Sequence, residues 1–489
     1  MNERRRPGHR GRPDGNGGGG EGSVRRRGAG PTLARLIAVR VLERVERVRA
    51  YADLALHHAL AQSNLSSLDR ALATELVYGT LRWRGRIDFA LAHALERSPA
   101  ELEPLVLTTL RIGAYQLLFS DRIPDTAAVD EAVRCARAVG AERATGLVNA
   151  VLRRVARERE TCPLPDLATN PVGHLEHALS LPHWIAERWL ADYGPEQAVA
   201  LARASNGAPP LTVRANPLRG TREVLLEHLK ADFPDARPCR YATHGLVLGH
   251  GGAPGSDPRF RAGEYTVQDE AAQLVVELMQ LEPAHHVLDV CAAPGTKTTG
   301  IAERLETGGG RVLALDRHAN RLSLVARAAR RLELSCIHTL VRDATRPLTD
   351  LPDFVDADAP STGALFDRVL VDAPCSGLGA MRRNPDARWR VRSGDPARLA
   401  EVQRTLLDRA AEVVAPGGSL VYSTCTVMRE ENEAVIEPFL ERSPGFRLAR
   451  RDEAPPNLAP LLDDAGHMRC HPHLHDTDGF YAARLIRVS

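Results

Sequence analysis

The chain of 489 residues has no apolar run approaching a membrane span, which takes about 20 consecutive apolar residues. No apolar core of a secretory leader follows its start, and its eight cysteines show no paired spacing. Membrane and disulfide-scaffold classes lose ground, and a reducing cytoplasm is the expected compartment. One-sided charge is missing too: 64 Lys and Arg against 62 Asp and Glu leave a formal net charge of +2. The small-residue turn at 291–298 has neither G-x-G-x-x-G nor G-x-x-x-x-G-K-[ST] spacing, which weakens nicotinamide and nucleoside-triphosphate readings. What is present, 43% hydrophobic residues, suffices for ordinary cores in two or three domains.

Residues 1–30 are rich in glycine and arginine and almost free of apolar side chains. Such a segment buries too little surface to offset its ordering entropy, so a disordered tail is expected. Solvation, nonspecific phosphate contact and organelle targeting are all open to it. From Thr32 the pattern turns helical: Leu33, Leu36, Ile37 and Val41 share one face, with Arg40 and Arg44 on its flank. Arg82, Arg84 and Arg86 surround Trp83, a cluster that suits a nucleic-acid backbone as well as a solvated helix end. Leu181-Pro182-His183-Trp184-Ile185 reads as a helix start, with Trp184 and Trp189 as core or domain-contact residues.

Strands are expected near 286–290, 311–315, 336–341, 368–371 and 419–422, with helices between them. That alternation predicts an α/β fold with a mostly parallel, doubly wound sheet, whose chemistry gathers at the carboxyl ends of the strands. The first strand runs into Cys291-Ala292-Ala293-Pro294-Gly295-Thr296-Lys297-Thr298. Its small residues let backbone approach a ligand, before a helix whose free amides favour a carboxylate or phosphate. Asp316 ends the second strand and Asp343 follows the third. A strand-end acid takes ribose hydroxyls in nucleoside-binding folds, but it also caps helices. Cys375, in Asp372-Ala373-Pro374-Cys375-Ser376-Gly377, and Cys425, in Ser423-Thr424-Cys425-Thr426, each follow an apolar strand. A lone buried cysteine is usually a small hydrophobe; two in such positions suggest reactivity.

Together these segments resemble the S-adenosylmethionine-dependent RNA cytosine-5 methyltransferases, and among them the bacterial RsmB (Sun/Fmu) family of 16S ribosomal RNA enzymes. The first motif of that family usually reads C-A-A-P-G-G-K-T. Thr296 here replaces its second glycine, placing a β-branched side chain beside the expected methionine moiety. Glu75–Arg82, Leu110–Leu117 and Gly146–Arg154 resemble the family's NusB-like domain, and Pro210–Asn216 and Val267–Gln273 its lead into the catalytic domain. The resemblance implies a tail over 1–30, an all-α NusB-like RNA-binding domain over 31–160, and a connecting helical and small α/β segment over 161–275. A Rossmann-like methyltransferase domain over 276–489 follows. It implies S-adenosyl-L-methionine held by Cys291, Ala292, Ala293, Pro294, Gly295, Thr296, Lys297, Asp316, Asp343 and Asp372. It makes Cys425 the nucleophile and Cys375 the thiol that helps release product. The implied partner is RNA, 16S ribosomal RNA first, for a cytoplasmic monomer with no membrane or DNA partner.

The chemistry accounts for the thiols. Carbon 5 of cytosine is too weak a nucleophile to attack a sulfonium methyl directly, so a nucleophile must first add at carbon 6, and a thiolate suits that task. DNA enzymes of this chemistry attack with the thiol of the Pro-Cys motif, so the presence of both Pro374-Cys375 and Thr424-Cys425 points to RNA. Asp372 can hold the base at its ring nitrogen or contact the cofactor. Arg382-Arg383-Asn384-Pro385-Asp386 can hold the phosphates of a flipped nucleotide or lie as a solvated loop. Cys135, Cys162, Cys239 and Cys336 lie in no motif and read as structural. The histidines of His467–Asp476 are too crowded for the spaced zinc patterns, so no metal is expected. Two other readings stay open: a transfer RNA methyltransferase, and a noncatalytic NusB-like assembly factor. The latter should have lost a thiol or the cofactor loop, and this chain keeps both.

Overall fold

A computed structural model describes residues 30–249, 254–351 and 365–488. The Gly/Arg-rich segment, apart from Gly30, lies outside the described residues. Helices α1 (Leu33–Val48), α2 (Ala52–Ala61), α3 (Ser67–Arg82), α4 (Arg84–Ala94), α5 (Pro104–Phe119), α6 (Asp125–Ala138) and α7 (Thr145–Glu158) pack around one core. Apolar all round and opened by a proline, α5 is buried along nearly its whole middle, from Thr108 to Leu117. Around it lie amphipathic helices such as α7, which buries Val148, Val151, Leu152 and Val155 at helical spacing. The chain entering α1 is pinned where Glu131 accepts from the Thr32 amide and hydroxyl, both at 2.9 Å.

The connecting segment contributes a long helix, α8 (His183–Ser205), which begins at the expected proline and kinks at Gly194-Pro195. Trp189 is fully buried in a cluster with Leu378, Met381, Val427 and Met428. The helix therefore packs against the loops that follow both motif cysteines. Trp184 is half-buried at the edge of the same cluster. A four-stranded antiparallel sheet comes next: β1 (Thr212–Ala215), β2 (Arg237–Pro238), β3 (Gly245–Val247) and β4 (Tyr265–Val267), in the order β2-β3-β1-β4, with α9 (Arg222–Leu229).

After α10 (Glu270–Leu278) the predicted alternation is realised: β5 (His286–Asp289), α11 (Thr296–Leu305), β6 (Arg311–Asp316), α12 (Ala319–Leu332), β7 (Ile337–Val341), β8 (Phe366–Asp372), α13 (Asp395–Ala411) and β9 (Val414–Thr424). Then come α14 (Glu433–Arg442), β10 (Phe446–Leu448), β11 (Met468–Cys470) and β12 (Phe480–Arg487). The sheet order is β10-β12-β9-β8-β5-β6-β7, with β11 against β12. Pairings from β7 through β9 are parallel, while β12 runs antiparallel to β9, β10 and β11. The strand order reverses between β5 and β8, which opens a crevice at their carboxyl ends.

One buried ion pair joins the small sheet to this crevice. Arg214 of β1 donates to both carboxylate oxygens of Glu303 at 2.8 Å, to the Thr296 carbonyl at 2.7 Å and to the Thr299 hydroxyl at 3.1 Å. Both partners of the pair are nearly inaccessible, with side chains 2% and 1% exposed. Removing one leaves an uncompensated buried charge, which costs about 3–5 kcal/mol, whereas an apolar pair of similar volume is close to neutral. Arg214→Met should lower unfolding free energy by about that amount in urea denaturation, and Arg214→Met with Glu303→Leu should recover most of it.

Candidate active site

Parallel pairing of β8 with β9 puts Asp372 opposite Ser423, so both strands end at the same edge of the sheet. The loops that leave them bring Cys375 Sγ to 3.3 Å from Cys425 Sγ, both as free, half-buried thiols. Backbone packing fixes the approach. The Gly379 amide donates to the Cys425 carbonyl at 3.0 Å, and the Gly479 amide donates to the Gly379 carbonyl at 2.9 Å. A Cβ on Gly379 would meet the Gly479 carbonyl oxygen at 2.0 Å, so only glycine allows this contact. The hydrogen bond with Cys425, burial and nearby Glu431 all push the Cys375 thiol well above its ordinary range.

Glu431 ties the two loops together, and the motif reading did not single it out. Fully buried, it accepts from the Ser376 amide at 2.8 Å, from the Ser376 hydroxyl, and from the Gln403 amide at 3.1 Å. Gln403 also donates to the Pro374 carbonyl at 3.0 Å, and Ser376 shares a hydrogen bond of 2.9 Å with Thr426. Burial raises the Glu431 carboxyl above its ordinary value, while the Ser376 and Gln403 donors work the other way. Next to it, Asn432 accepts from the Thr424 hydroxyl at 2.6 Å and donates to the Thr426 carbonyl at 3.2 Å. The available signal was a run of acids and an amide just after the second cysteine, with nothing local to say which would turn inward.

Cys291, Ala292, Ala293 and Pro294 form the turn beyond β5, and Gly295 enters α11 at φ 107°. A Cβ there would lie 3.0 Å from the Val325 Cα, so α12 and the turn approach as only glycine permits. Thr298 donates to Asp289 at 2.7 Å, and the second Asp289 carboxylate oxygen has no partner among the described residues. Burial pushes the Asp289 carboxyl up to about 7, against the Thr298 hydrogen bond. Thr296 begins the helix, its carbonyl held by Arg214. Lys297 turns into the crevice: its ammonium donates to Asp372 at 2.7 Å and lies 5.1 Å from the Phe480 ring centroid. Burial opposes its charge, but Asp372, that hydrogen bond, Cys425 and Asp289 outweigh burial and raise it above its ordinary value. Asp372 also accepts from the Ser423 hydroxyl at 2.8 Å. Asp316 accepts the His318 amide at 2.8 Å, and Asp343 accepts the Thr345 amide at 3.0 Å, both as local turn caps. Each uses one oxygen in this way. The Thr345 hydroxyl and amide hold the Asp343 carboxyl below its ordinary value.

Two arginine clusters differ from expectation. Arg382 and Arg383 do not face an open crevice: Arg382 donates to Asp478 at 2.8 Å and Asp476 at 3.1 Å, and Arg383 to Asp478 at 2.7 Å and Asp269 at 2.6 Å. Carboxylates brought in from 269 and 476–478, invisible in local sequence, claim both guanidinium groups. The cluster around Trp83 is a domain contact. Arg82 donates to the Arg382 carbonyl at 2.9 Å, Arg84 pairs with Glu46 at 2.7 Å, and Trp83 stacks on Phe119 at 4.7 Å. From the other side, Trp389 donates to the Leu81 carbonyl at 2.6 Å. Arg388, fully buried, donates to the carbonyls of Arg82, Ser180 and Ser205 and to the Asn206 side chain at 2.7 Å. Burial, and then Arg82, lowers its guanidinium to about 9. The expected structural cysteines Cys135, Cys162 and Cys239 are buried, and Cys336 is half-buried.

A helical domain ahead of a Rossmann-like sheet, with a small-residue turn beyond β5 and acids ending the neighbouring strands, defines a methyltransferase architecture. Family models agree segment by segment: NusB over residues 32–157, an RsmF/B-like ferredoxin-like domain over 181–253 and the 16S rRNA methyltransferase RsmB/F over 276–486. The chain is 36% identical over 456 residues to the probable ribosomal RNA small subunit methyltransferase B of Bacillus subtilis (strain 168), covering 93% of this chain and 98% of the relative. It is 35% identical over 465 residues to ribosomal RNA small subunit methyltransferase B of Pseudomonas putida, with 93% and 98% covered. The crystal structure of PH0851 superposes with a TM-score of 0.76 at 25% identity, covering 92% of this chain and 98% of that one. The chain belongs to the RsmB/F family of RNA methyltransferases.

Glu431→Ala would leave the Ser376 and Gln403 donors without an acceptor, at about 1–3 kcal/mol for each buried orphan. Calorimetric unfolding should show a loss of at least about 2 kcal/mol. Alkylation followed by mass spectrometry should find Cys375 modified faster than in the parent chain.

Proposed function

We propose that the chain methylates carbon 5 of a cytosine in 16S ribosomal RNA, with S-adenosyl-L-methionine as donor and Cys425 as covalent nucleophile. The observation that carries this reading is the pair of free thiols 3.3 Å apart at the crevice edge. The cofactor side rests on the turn after β5. Gly295 leaves the backbone open where a Cβ would meet α12; Asp316 and Asp372 end β6 and β8 at the same edge of the sheet, and Asp343 follows β7. Asp316 would take ribose hydroxyls with the oxygen its turn does not use, and Asp343 the adenine amino group. Cys291 to Lys297 would contribute backbone around the methionine moiety. When bound, S-adenosyl-L-methionine supplies an electrophilic methyl group. Names of relatives at about one-third identity favour ribosomal over transfer RNA, and both thiols and the turn argue against a noncatalytic assembly factor. A cytoplasmic monomer divided at residues 30, 160 and 275, with RNA but neither DNA nor membrane as partner, completes the proposal.

The Cys425 thiol gives its proton to water, and the resulting thiolate Sγ adds to carbon 6 of the cytosine, moving the double-bond electrons toward carbon 5 and the ring carbonyl. Lys297 places a buried positive charge beside this thiol and beside Asp372. With Lys297 and Ser423 donating to its two oxygens, Asp372 offers acceptor lone pairs, which suit the cytosine amino group rather than the ring nitrogen. After methylation the carbon 5 proton passes to water, the 5,6 double bond reforms and the bond from Sγ to carbon 6 breaks. Cys375, kept protonated by its surroundings, donates its hydrogen bond to the departing Cys425 sulfur.

Cys425→Ala should abolish methyl transfer to unmodified 16S ribosomal RNA while binding of S-adenosyl-L-methionine stays near that of the parent. Cys375→Ala should trap a protein–RNA adduct, seen as a retarded band on a denaturing gel, and the band should vanish in the double variant. Its absence in Cys375→Ala, or its survival without Cys425, would refute the division of labour. Asp316→Ala should weaken cofactor binding by about 1.5–3 kcal/mol in titration calorimetry, since a charged acceptor to the ribose is lost.

A further inference from the structure

Beside the Cys425 loop lies a recess of about 250 Å³ to which no step of the proposed reaction assigns a role. Thr426 and Val427 form one wall, Tyr193 from the kinked part of α8 another, and His471 and Phe480 close it from the far side. The histidine-rich stretch, which holds no expected metal, thus comes to rest next to the reacting centre. Tyr193 donates its hydroxyl to the Val427 carbonyl at 2.6 Å, and the His471 ring meets it edge-on at 5.8 Å between centroids.

Polar capacity in this recess is unsatisfied. Asp192 and Glu433 each keep a buried carboxylate oxygen without a hydrogen-bond partner among the described residues, and His471 Nδ1 is equally unpartnered. Glu433 is only 7% exposed, its other oxygen engaged by Arg469 at 2.8 Å. Buried acceptors without donors cost free energy, and a ligand bearing N–H groups relieves that cost. At the mouth, Arg429 is exposed and makes no ion pair among the described residues, which suits a phosphate. The volume falls below the roughly 300 Å³ at which drug-sized pockets begin, so it admits one flat ring system and not a dinucleotide.

We propose that this recess is a subsite for an unstacked nucleobase of the substrate RNA adjacent to the target cytosine, one whose edge carries an amino group. This rests on the RNA cytosine reading above and extends it to sequence context. The base lies against the edge-to-face pair of Tyr193 and His471, its N–H donors reach toward the Asp192 and Glu433 carboxylates, and its phosphate lies against Arg429. Aromatic walls supply stacking and the buried carboxylates supply discrimination.

The test uses the full chain and an unmodified 16S ribosomal RNA transcript. The methylated cytosine is mapped first, and the nucleotides on either side are then replaced in turn by uridine and by an abasic residue. One flank should raise KM at least tenfold with kcat within twofold. His471→Ala and the exposed Arg429→Gln should raise KM similarly on the parent RNA. Abasic RNA should add no further loss to His471→Ala, because both changes remove the same contact. Insensitivity of KM at both flanks would overturn the subsite, as would losses that multiply in the combined experiment, or either variant keeping KM within twofold. A parent chain that methylates no cytosine of the transcript would instead overturn the functional reading, and the subsite with it.

Discussion

The parallel pairing of β8 with β9 is the constraint on which the site depends. Adjacent parallel strands lie about 4.8 Å apart and finish at one edge, so two loops that are distant in sequence start as neighbours in space. With Asp372 beside Ser423, each strand delivers its cysteine a short way past the sheet without any long excursion of the chain. Glu431, buried behind the pair, holds the residues next to both thiols. The small-residue turn emerges from β5 on the other side of β8, at the same edge of the sheet. One sheet register therefore sets the distances between the two thiols and the turn beyond β5 together.

Much of this frame was legible in residue order. Apolar segments near Val287, Val312, Val369 and Leu420 became parallel strands, and both motif cysteines came out on one edge as their strand-end contexts required. Motifs of this kind are local: a strand, a turn and a helix start within a dozen residues carry their own geometry. The rest depends on contacts between distant segments. Arg382 and Arg383 read as phosphate holders or a solvated loop because Asp269 and Asp478 are far away in sequence. Trp83 and its arginines read as an RNA surface or a solvated helix end because nothing nearby announced that Trp389 would dock there. The insertion of β12 between β9 and β10 was hidden likewise, since an apolar strand at the end of a chain does not declare its neighbours.

Charged residues do unusual structural work in this molecule. Arg214 ties the small antiparallel sheet to the helix that follows the cofactor turn, and its partners include the Thr296 carbonyl at the first turn of that helix. Arg382 and Arg383 clamp the segment after the first cysteine to Asp478, next to the glycine that packs under the second cysteine loop. Trp189 and its apolar neighbours supply the remaining side of the same shell. The two thiols are thus enclosed by ion pairs and one apolar cluster, each reaching in from a different part of the chain.

Arg388 gives this enclosure a modular consequence. Its guanidinium is surrounded by carbonyl and amide oxygens and, among the described residues, by no carboxylate within hydrogen-bond reach, so backbone dipoles at the ends of α3 and α8 stand in for a counterion. Those dipoles belong to the helical domain and the connecting segment, whereas the charge belongs to the catalytic loop. Solvation of a single side chain is therefore shared among three parts of the polypeptide. Such parts cannot be shuffled as independent cassettes: a catalytic domain cut free would have to hydrate Arg388 with water, and a foreign helical domain would have to present the same carbonyls at the same places.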